Sequence, residues 1–273
     1  MGITRRAALQ AFAASSVGLV TGVGASGALY ARHHLEEIQQ DLPITGLPLS
    51  LDGLRIGLLT DIHHSDTVPA DDVSRAVKAV LAASPDLVVL GGDYVTKAER
   101  RFMNPVAELL APLTSAPMGA FAVLGNHDDD REMPAALEAR GISVLKDART
   151  QVEFNGDRLD LAGIRFWTRG VGDISKVLRG TGGTTLLLAH DPRRLVEAAS
   201  LDVQLVLSGH THGGQVVVPG VGAPAARRFP VLAGLATKEN TSLFVSRGVG
   251  TVYVPIRLNC PPDVSILTLR RRT

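Results

Sequence analysis

The sequence predicts an α/β sandwich, with central strands flanked by helices and a β-rich second half. Three observations predict it. Short apolar runs alternate with segments of helical period as far as residue 207. Beyond Gly213 strand-like runs follow one another with no helical pattern between them. Glycine is frequent at 28 of 273 residues, which suits many tight turns, while aromatics make up only 4%, so the core must be mainly Val, Leu, Ile and Ala. One cysteine excludes an intrachain disulfide and a cysteine zinc cluster. A net charge of +1 supplies no basic field, so no nucleic-acid binding is expected.

Residues 1–34 read as a separate unit ahead of a single domain over 35–273. Ala7 to Tyr30 is an uncharged run of 24 residues behind Arg5 and Arg6. As a helix it would span roughly 36 Å, enough to cross a bilayer. Four glycines dilute it, and Thr4-Arg5-Arg6-Ala7-Ala8-Leu9 resembles a twin-arginine export signal with a small-residue cleavage site after Ala25. The alternative is a plain membrane anchor whose paired arginines obey the positive-inside rule. Either way the expected location is the cell envelope, with the export machinery as a partner and the membrane as another if the segment is retained. Removing Arg5, Arg6 and Arg32 leaves 25 basic against 27 acidic residues, so the body is slightly acidic. His33 and His34 read as solvated linker residues.

Within the body, 54–60 is a short apolar run after Asp52-Gly53 and reads as a strand. Val73, Val77, Val80 and Leu81 give 71–83 a helical period, closed by Ser84-Pro85. Strands follow at 87–90 and 119–124, with a helix over 105–114 between them. A helix over 132–140 ends at Gly141, and 142–145 is a further short strand. Residues 151–154 and 158–162 flank Asn155-Gly156, the signature of a hairpin. Strands at 185–189 and 203–207 enclose a helix near 193–199. The β-rich remainder is 215–218, 243–246, 251–254 and 264–269. The Gly/Pro-rich stretch 219–241 is too long for a plain connection and reads as a substrate-side loop.

Polar residues suited to binding metal stand just after five of these strands. They are Asp61 and His63, then Asp93, then Asn126-His127-Asp128, then His190, then His210 and His212. The steps from Asp61 to Asp93 and from Asp93 to Asn126 are 32 and 33 residues, each one strand–helix–strand unit that returns the chain to the same sheet edge. In extended chain i and i+2 point the same way, so Asp61 with His63, and His210 with His212, can each offer two atoms to one place. Gly92, Gly125 and Gly209 permit the turns that precede them. His64 reads as an ordinary hydrogen-bonded histidine and Cys260 as a small buried apolar group.

The ordered set Asp61-x-His63, Gly92-Asp93, Gly125-Asn126-His127-Asp128, His190 and Gly209-His210-x-His212 resembles the calcineurin-like metallophosphoesterases, over roughly 54–214. The N-terminus, Ser246–Gly250 and the stretch from Pro255 to Pro262 resemble a bacterial envelope branch of phosphodiesterases. The resemblance implies a four-layer α/β/β/α sandwich of two mixed β-sheets flanked by helices. It implies two divalent metal ions, one held by Asp61, His63 and His212, the other by Asn126, His190 and His210, with Asp93 bridging and His127 as the catalytic histidine. A mixed N/O donor set without thiolate suits Mn, Fe or Zn. Such a pair screens an anionic phosphodiester and acidifies the attacking water, while His127 protonates the leaving oxygen. Many members carry an acid three residues after the bridging Asp; here it is Thr96, which leaves Asp128 or a backbone carbonyl to position His127. Asp263 replaces the branch's usual Glu, a structural change.

The expected function is thus hydrolysis of a phosphodiester or pyrophosphate bond on a phosphate-ester substrate, a lipid- or envelope-linked one among the candidates. Arg227, Arg228, Arg247 and Arg257 are candidates to hold its phosphate. A UDP-2,3-diacylglucosamine pyrophosphatase of lipid A synthesis is an alternative, set against by export, since that reaction needs a cytoplasmic site. A metal-binding envelope protein without catalysis is another.

Overall fold

The computed structural model describes residues 31–223 and 228–272. The export or anchor segment of residues 7–30 lies outside them, as does Arg227. Among the described residues no helix is long and apolar enough to cross a membrane.

Two six-stranded mixed sheets face each other. The first has the order β1 (Glu36–Thr45), β12 (Asp263–Arg272), β2 (Arg55–Leu59), β3 (Leu87–Leu90), β4 (Ala120–Ala122) and β5 (Ser143–Val144). The second runs β10 (Gly234–Lys238), β11 (Thr241–Val245), β9 (Leu205–Ser208), β8 (Thr184–Ala189), β7 (Asp157–Ile164) and β6 (Ala148–Phe154). β2, β3, β4 and β5 are mutually parallel, and so are β7, β8, β9 and β11; antiparallel pairs β12–β2, β10–β11 and β6–β7 make both sheets mixed. Helices α1 (Ala70–Ala82), α2 (Arg100–Leu110) and α3 (Glu132–Glu138) accompany the first sheet. Helices α4 (Val171–Val177) and α5 (Leu195–Ser200) accompany the second.

Side-chain alternation builds the layers. Ile56 and Leu58 of β2, Leu87 and Val89 of β3, Leu186 and Leu188 of β8, and Leu205 and Leu207 of β9 meet in one cluster between the sheets. Val88 and Leu90 turn the other way and join Val73, Val77 and Val80 of α1 and Val106 and Leu110 of α2. Leu187, Ala189 and Val206 join Ile174 of α4 and Leu195 and Ala198 of α5. These strands are apolar on both faces because both faces are covered. Phe244 is the one aromatic among the fully buried members of the inter-sheet cluster, in line with an aliphatic core.

Several expectations need correction. β1 was not visible in the sequence because of Glu36, Glu37 and Asp41; it is an edge strand that turns Leu42 and Ile44 inward and leaves Glu37 and Asp41 outside. Residues 215–218 and 251–254 are not strands; the first forms only isolated bridges from Val216 to Leu258 and from Val218 to Gly222, and the second is a series of bends. β10 lies inside the segment expected to be a loop, in a hairpin with β11. α2 begins at Arg100, five residues before the expected start, and carries Pro105 within it. α4 was not expected. The Asn155-Gly156 hairpin is present, with φ of 49° and 85° at the two residues, the left-handed pair that a tight two-residue turn requires.

Candidate metal centre

The loops after β2, β3 and β4 of the first sheet and after β8 and β9 of the second converge on one place. Asp61, His63 and His212 bring one ligand atom each to within 4.8 Å of one another, and Asp93, His190 and His210 do the same beside them. Each cluster draws on both sheets. Asn126 lines the same cleft as His210 and His212.

Backbone conformation supports this placement independently of residue type. Asp61, His63, Asp93, His210 and His212 all have φ between 49° and 71°. Left-handed backbone is uncommon for residues with a Cβ and costs of order 1–3 kcal/mol where the surroundings must enforce it, so its concentration here marks a functional site. Interlocking main-chain bonds enforce it: the Asp61 amide donates to Gly92 O at 2.9 Å, that of His63 to Asp93 O at 3.0 Å, and that of Gly250 to Asp61 O at 2.7 Å.

Gly92 has φ of 97° and is a turn glycine, as expected. Gly125 and Gly209 serve differently. Neither has a positive φ; a Cβ on Gly125 would lie 2.0 Å from Asp93 Oδ1, and one on Gly209 would lie 2.1 Å from Asp61 Oδ2. They are small because a carboxylate occupies the space.

Hydrogen bonds aim the donor atoms. Asp93 Oδ1 accepts from the His127 amide at 2.8 Å, leaving Oδ2 3.2 Å from His190 Nε2 and 3.5 Å from His63 Nε2, between the two clusters. His190 Nδ1–H donates to Gly91 O at 2.7 Å, which turns Nε2 inward. His63 Nδ1 meets Thr96 Oγ1 at 3.2 Å, so its Nε2 also faces in, 3.2 Å from His212 Nε2. Asp61 accepts the His210 amide and the Thr60 hydroxyl, with Oδ1 3.3 Å from His212 Nε2.

The donor set fits divalent cations. Asn126 Oδ1 and His190 Nε2 are buried without a hydrogen-bond partner; His190 Nε2 is close to Asp93 but off the line of a hydrogen bond. Unpaired buried polar atoms are rare, and two at one place point to a ligand that satisfies them. Burial lowers His63 to about 4 and His210 to about 3, and pushes His212 well below its ordinary value, so all three rings are neutral and ready to ligate at pH 7. At His190 burial is outweighed by Asp93 and Asp61, which raise it to about 10. Burial would raise Asp93, but His190 beside it holds its carboxyl far below the usual range. The centre therefore attracts positive charge. Cys260 is buried, its thiol raised chiefly by burial and directed to His212 O at 3.1 Å, as expected of a small packed group.

His127 is buried against His63, ring centroids 5.0 Å apart. Neither expected partner positions it. Asp128 instead accepts the amides of Asp93, Tyr94 and Gly125. The contact to His127 Nδ1 is a donor, the Lys97 amide at 3.0 Å, and the His127 carbonyl accepts from the Ala98 amide at 2.7 Å. An N–H aimed at Nδ1 requires a lone pair there, so the neutral ring carries its proton on Nε2. Burial first among its causes lowers the His127 pKa, again favouring the neutral ring.

The four arginine candidates separate. Arg228 lines the cleft beside the centre. Arg227 lies outside the described residues. Arg247 is tied to Asp263 at 2.9 Å and Glu36 at 2.8 Å. Arg257 is 0% exposed and donates to the carbonyls of Gly250, Gly248, Arg247, Cys260 and His212, which leaves nothing for a phosphate. The expectation for it is corrected: it pins the tail beneath the centre. Asp263 is structural as expected, accepting from Ser246 and Arg247. His64 is a buried histidine bonded to Val68 O at 2.9 Å. His33 is not a free linker residue; it pairs with Asp72 at 3.0 Å. The aromatic residues around the centre were missed. Phe166 and Phe229 pack on His210 with ring centroids 5.1 and 5.2 Å away, the first tilted and the second edge-to-face, and Trp167 and Tyr253 line the same cleft.

A family model for calcineurin-like phosphoesterase matches residues 54–214. An uncharacterized metallophosphoesterase of Bacillus subtilis, YkuE, is 27% identical over 95% of this chain and 94% of its own length. The phosphodiesterase YaeI of Escherichia coli is 33% identical over 79% of this chain and 82% of its own. Among solved structures, the NAD nucleotidase NadN of Haemophilus influenzae superposes with a TM-score of 0.50 at 14% identity, over 72% of this chain and 45% of that one, a likeness of fold alone.

Proposed function

Because the chain belongs to the calcineurin-like phosphoesterase family, hydrolases of phosphoester bonds that use divalent metals, we propose that it is a phosphodiesterase with a dinuclear centre. Asp61, His63 and His212 would hold one cation and Asn126, His190 and His210 the other, with Asp93 Oδ2 shared between them. The position of that single oxygen between His63 and His190 carries the reading. Cations bound there would screen the phosphate's charge and acidify a water for attack on phosphorus.

The chain's own residues set the geometry. Gly91 O and Thr96 Oγ1 fix the rings of His190 and His63, and the His127 amide fixes Asp93. His127, neutral and protonated on Nε2, donates a hydrogen bond to a phosphoryl or leaving oxygen, so charge that develops on that oxygen meets a fixed donor. Arg228 in the cleft draws in the anionic substrate. The test is hydrolysis of bis-p-nitrophenyl phosphate with added Mn²⁺. Activity that survives Asp93→Asn and His210→Ala unchanged refutes the site. We further take 35–273 as one catalytic domain behind an export signal or anchor in 1–34, supported by the paired arginines and the uncharged run. A reporter fused after Thr273 that reads as cytoplasmic would overturn export.

A further inference from the structure

Beside the metal centre opens a cavity of about 520 Å³, within the range of small-ligand sites. Phe166, Trp167, Phe229, Val216, Val252 and Val254 line it, and Asn126 and His210 close one end. Trp167 is 69% exposed and Tyr253 at its mouth 76%. Large apolar side chains left in water at one place mark a binding surface.

Apart from Arg228, which the substrate's phosphate would engage, Gln215, Thr211 and Arg193 of this wall are already committed. Gln215 donates to the carbonyls of Val252 and Val254 and accepts the Val252 amide, at 3.2, 3.0 and 2.9 Å. Thr211 donates to Leu232 O at 2.6 Å, and Arg193 is forked onto Asp191. A nucleobase or sugar would find few groups to read its edges; a hydrocarbon chain needs none. Resting on the phosphodiesterase reading, we propose that this cleft is the subsite for an apolar ester arm, so that the substrate class is an amphiphilic phosphodiester carrying an alkyl chain. The phosphate sits at the His210 end and the chain runs past Trp167 and Phe229.

The test uses the full chain with Mn²⁺ and a series of methyl, butyl and octyl p-nitrophenyl phosphates, with thymidine 5′-p-nitrophenyl phosphate as the nucleoside arm. In each, water's oxygen bonds to phosphorus as the bond to p-nitrophenolate breaks, leaving the alkyl or nucleoside phosphate. Each buried methylene raises kcat/KM about fourfold, so butyl should exceed methyl by about 60-fold when fully covered. At least tenfold from methyl to octyl, and an octyl-to-methyl ratio that falls at least about fivefold in Trp167→Ala and in Phe229→Ala, is the expected result. A smaller rise, a ratio unmoved in both variants, or a nucleoside ester preferred to the octyl ester overturns the apolar subsite while leaving a phosphodiesterase. No hydrolysis of any ester sinks both. The native series decides even if a variant fails to fold.

Discussion

Gly125→Ala should disable the centre without removing any ligand. The added Cβ would sit 2.0 Å from Asp93 Oδ1 and 2.6 Å from its Cγ, whereas ordinary contact begins at 3.4 Å. The carboxylate or the Gly125 backbone must therefore move by about 1.4 Å, the difference between those two distances. Neither is free to move. Asp93 Oδ1 holds the His127 amide at 2.8 Å, and the Gly125 amide is held by Asp128 at 2.9 Å. Displacement of about 1 Å at a reacting centre costs on the order of 10² in rate, and overpacking costs about 1–3 kcal/mol of stability. We expect kcat/KM for bis-p-nitrophenyl phosphate to fall at least about 100-fold with Mn²⁺ in excess. Bound metal should fall with it, measured by plasma mass spectrometry after desalting. Gly172→Ala is the control: its Cβ meets nothing within 4 Å. A Gly125→Ala enzyme within threefold of native activity, with native metal content, would refute the claim that Asp93 fills the space a side chain would need.

Three further outcomes follow from the same geometry. Metal-stripped protein should melt at progressively lower temperature as pH falls from 7 to 4.5. His63, His210 and His212 fold with pKa values below 6.5, so their stabilisation is complete above 6.5 and is lost on acidification, at about 1.4 kcal/mol per pH unit per group. Burial chiefly raises Asp61, to about 6, and Asp128, to about 7, so both gain as pH falls, but they are two groups against three; the contribution of His190 is already full below 6.5. A melting temperature flat over that range contradicts the burial of neutral histidines. Arg257→Met orphans the carbonyls of Gly250, Arg247 and Cys260 and should cost at least about 3 kcal/mol, or roughly 6–12 °C by scanning fluorimetry; a shift under 2 °C denies it the pinning role. His127→Ala should lower kcat by about 10² or more while metal content stays native, and a KM change alone would remove it from the reaction.

The donor residues of the centre were legible because their chemistry is specific and because each stands one step past an apolar run, at the strand ends where parallel sheets gather loops. The layers were legible for a related reason: only a strand covered on both faces reads Leu87-Val88-Val89-Leu90. What escaped depends on contacts between distant residues. The left-handed backbone at Asp61, His63 and Asp93 has no local signature, since Gly92 and Gly250 carbonyl and amide bonds enforce it from elsewhere. The Lys97 amide on His127 is main chain and carries no residue identity. Val216–Val218 and Val252–Val254 read as strands because β-branched residues favour them, yet they are apolar for a different reason, as walls and rim of the cleft. Glu37 and Asp41 hid β1 because an edge strand can keep charges in its outward register, and Glu36, in the inward register, is paired with Arg247.

Each cluster joins loops of one sheet to loops of the other, and this bears on the order of folding. His63 and His212 stand 149 residues apart and meet only across the interface between the sheets. Neither half of the chain on its own contains a complete set of donors. Cation loading would therefore come late, after the Leu-rich faces of β2, β3, β8 and β9 have docked and the chain beyond residue 205 has emerged. A cation in either cluster would then act as a further cross-link between the two layers, and its retention would report that the layers are in register.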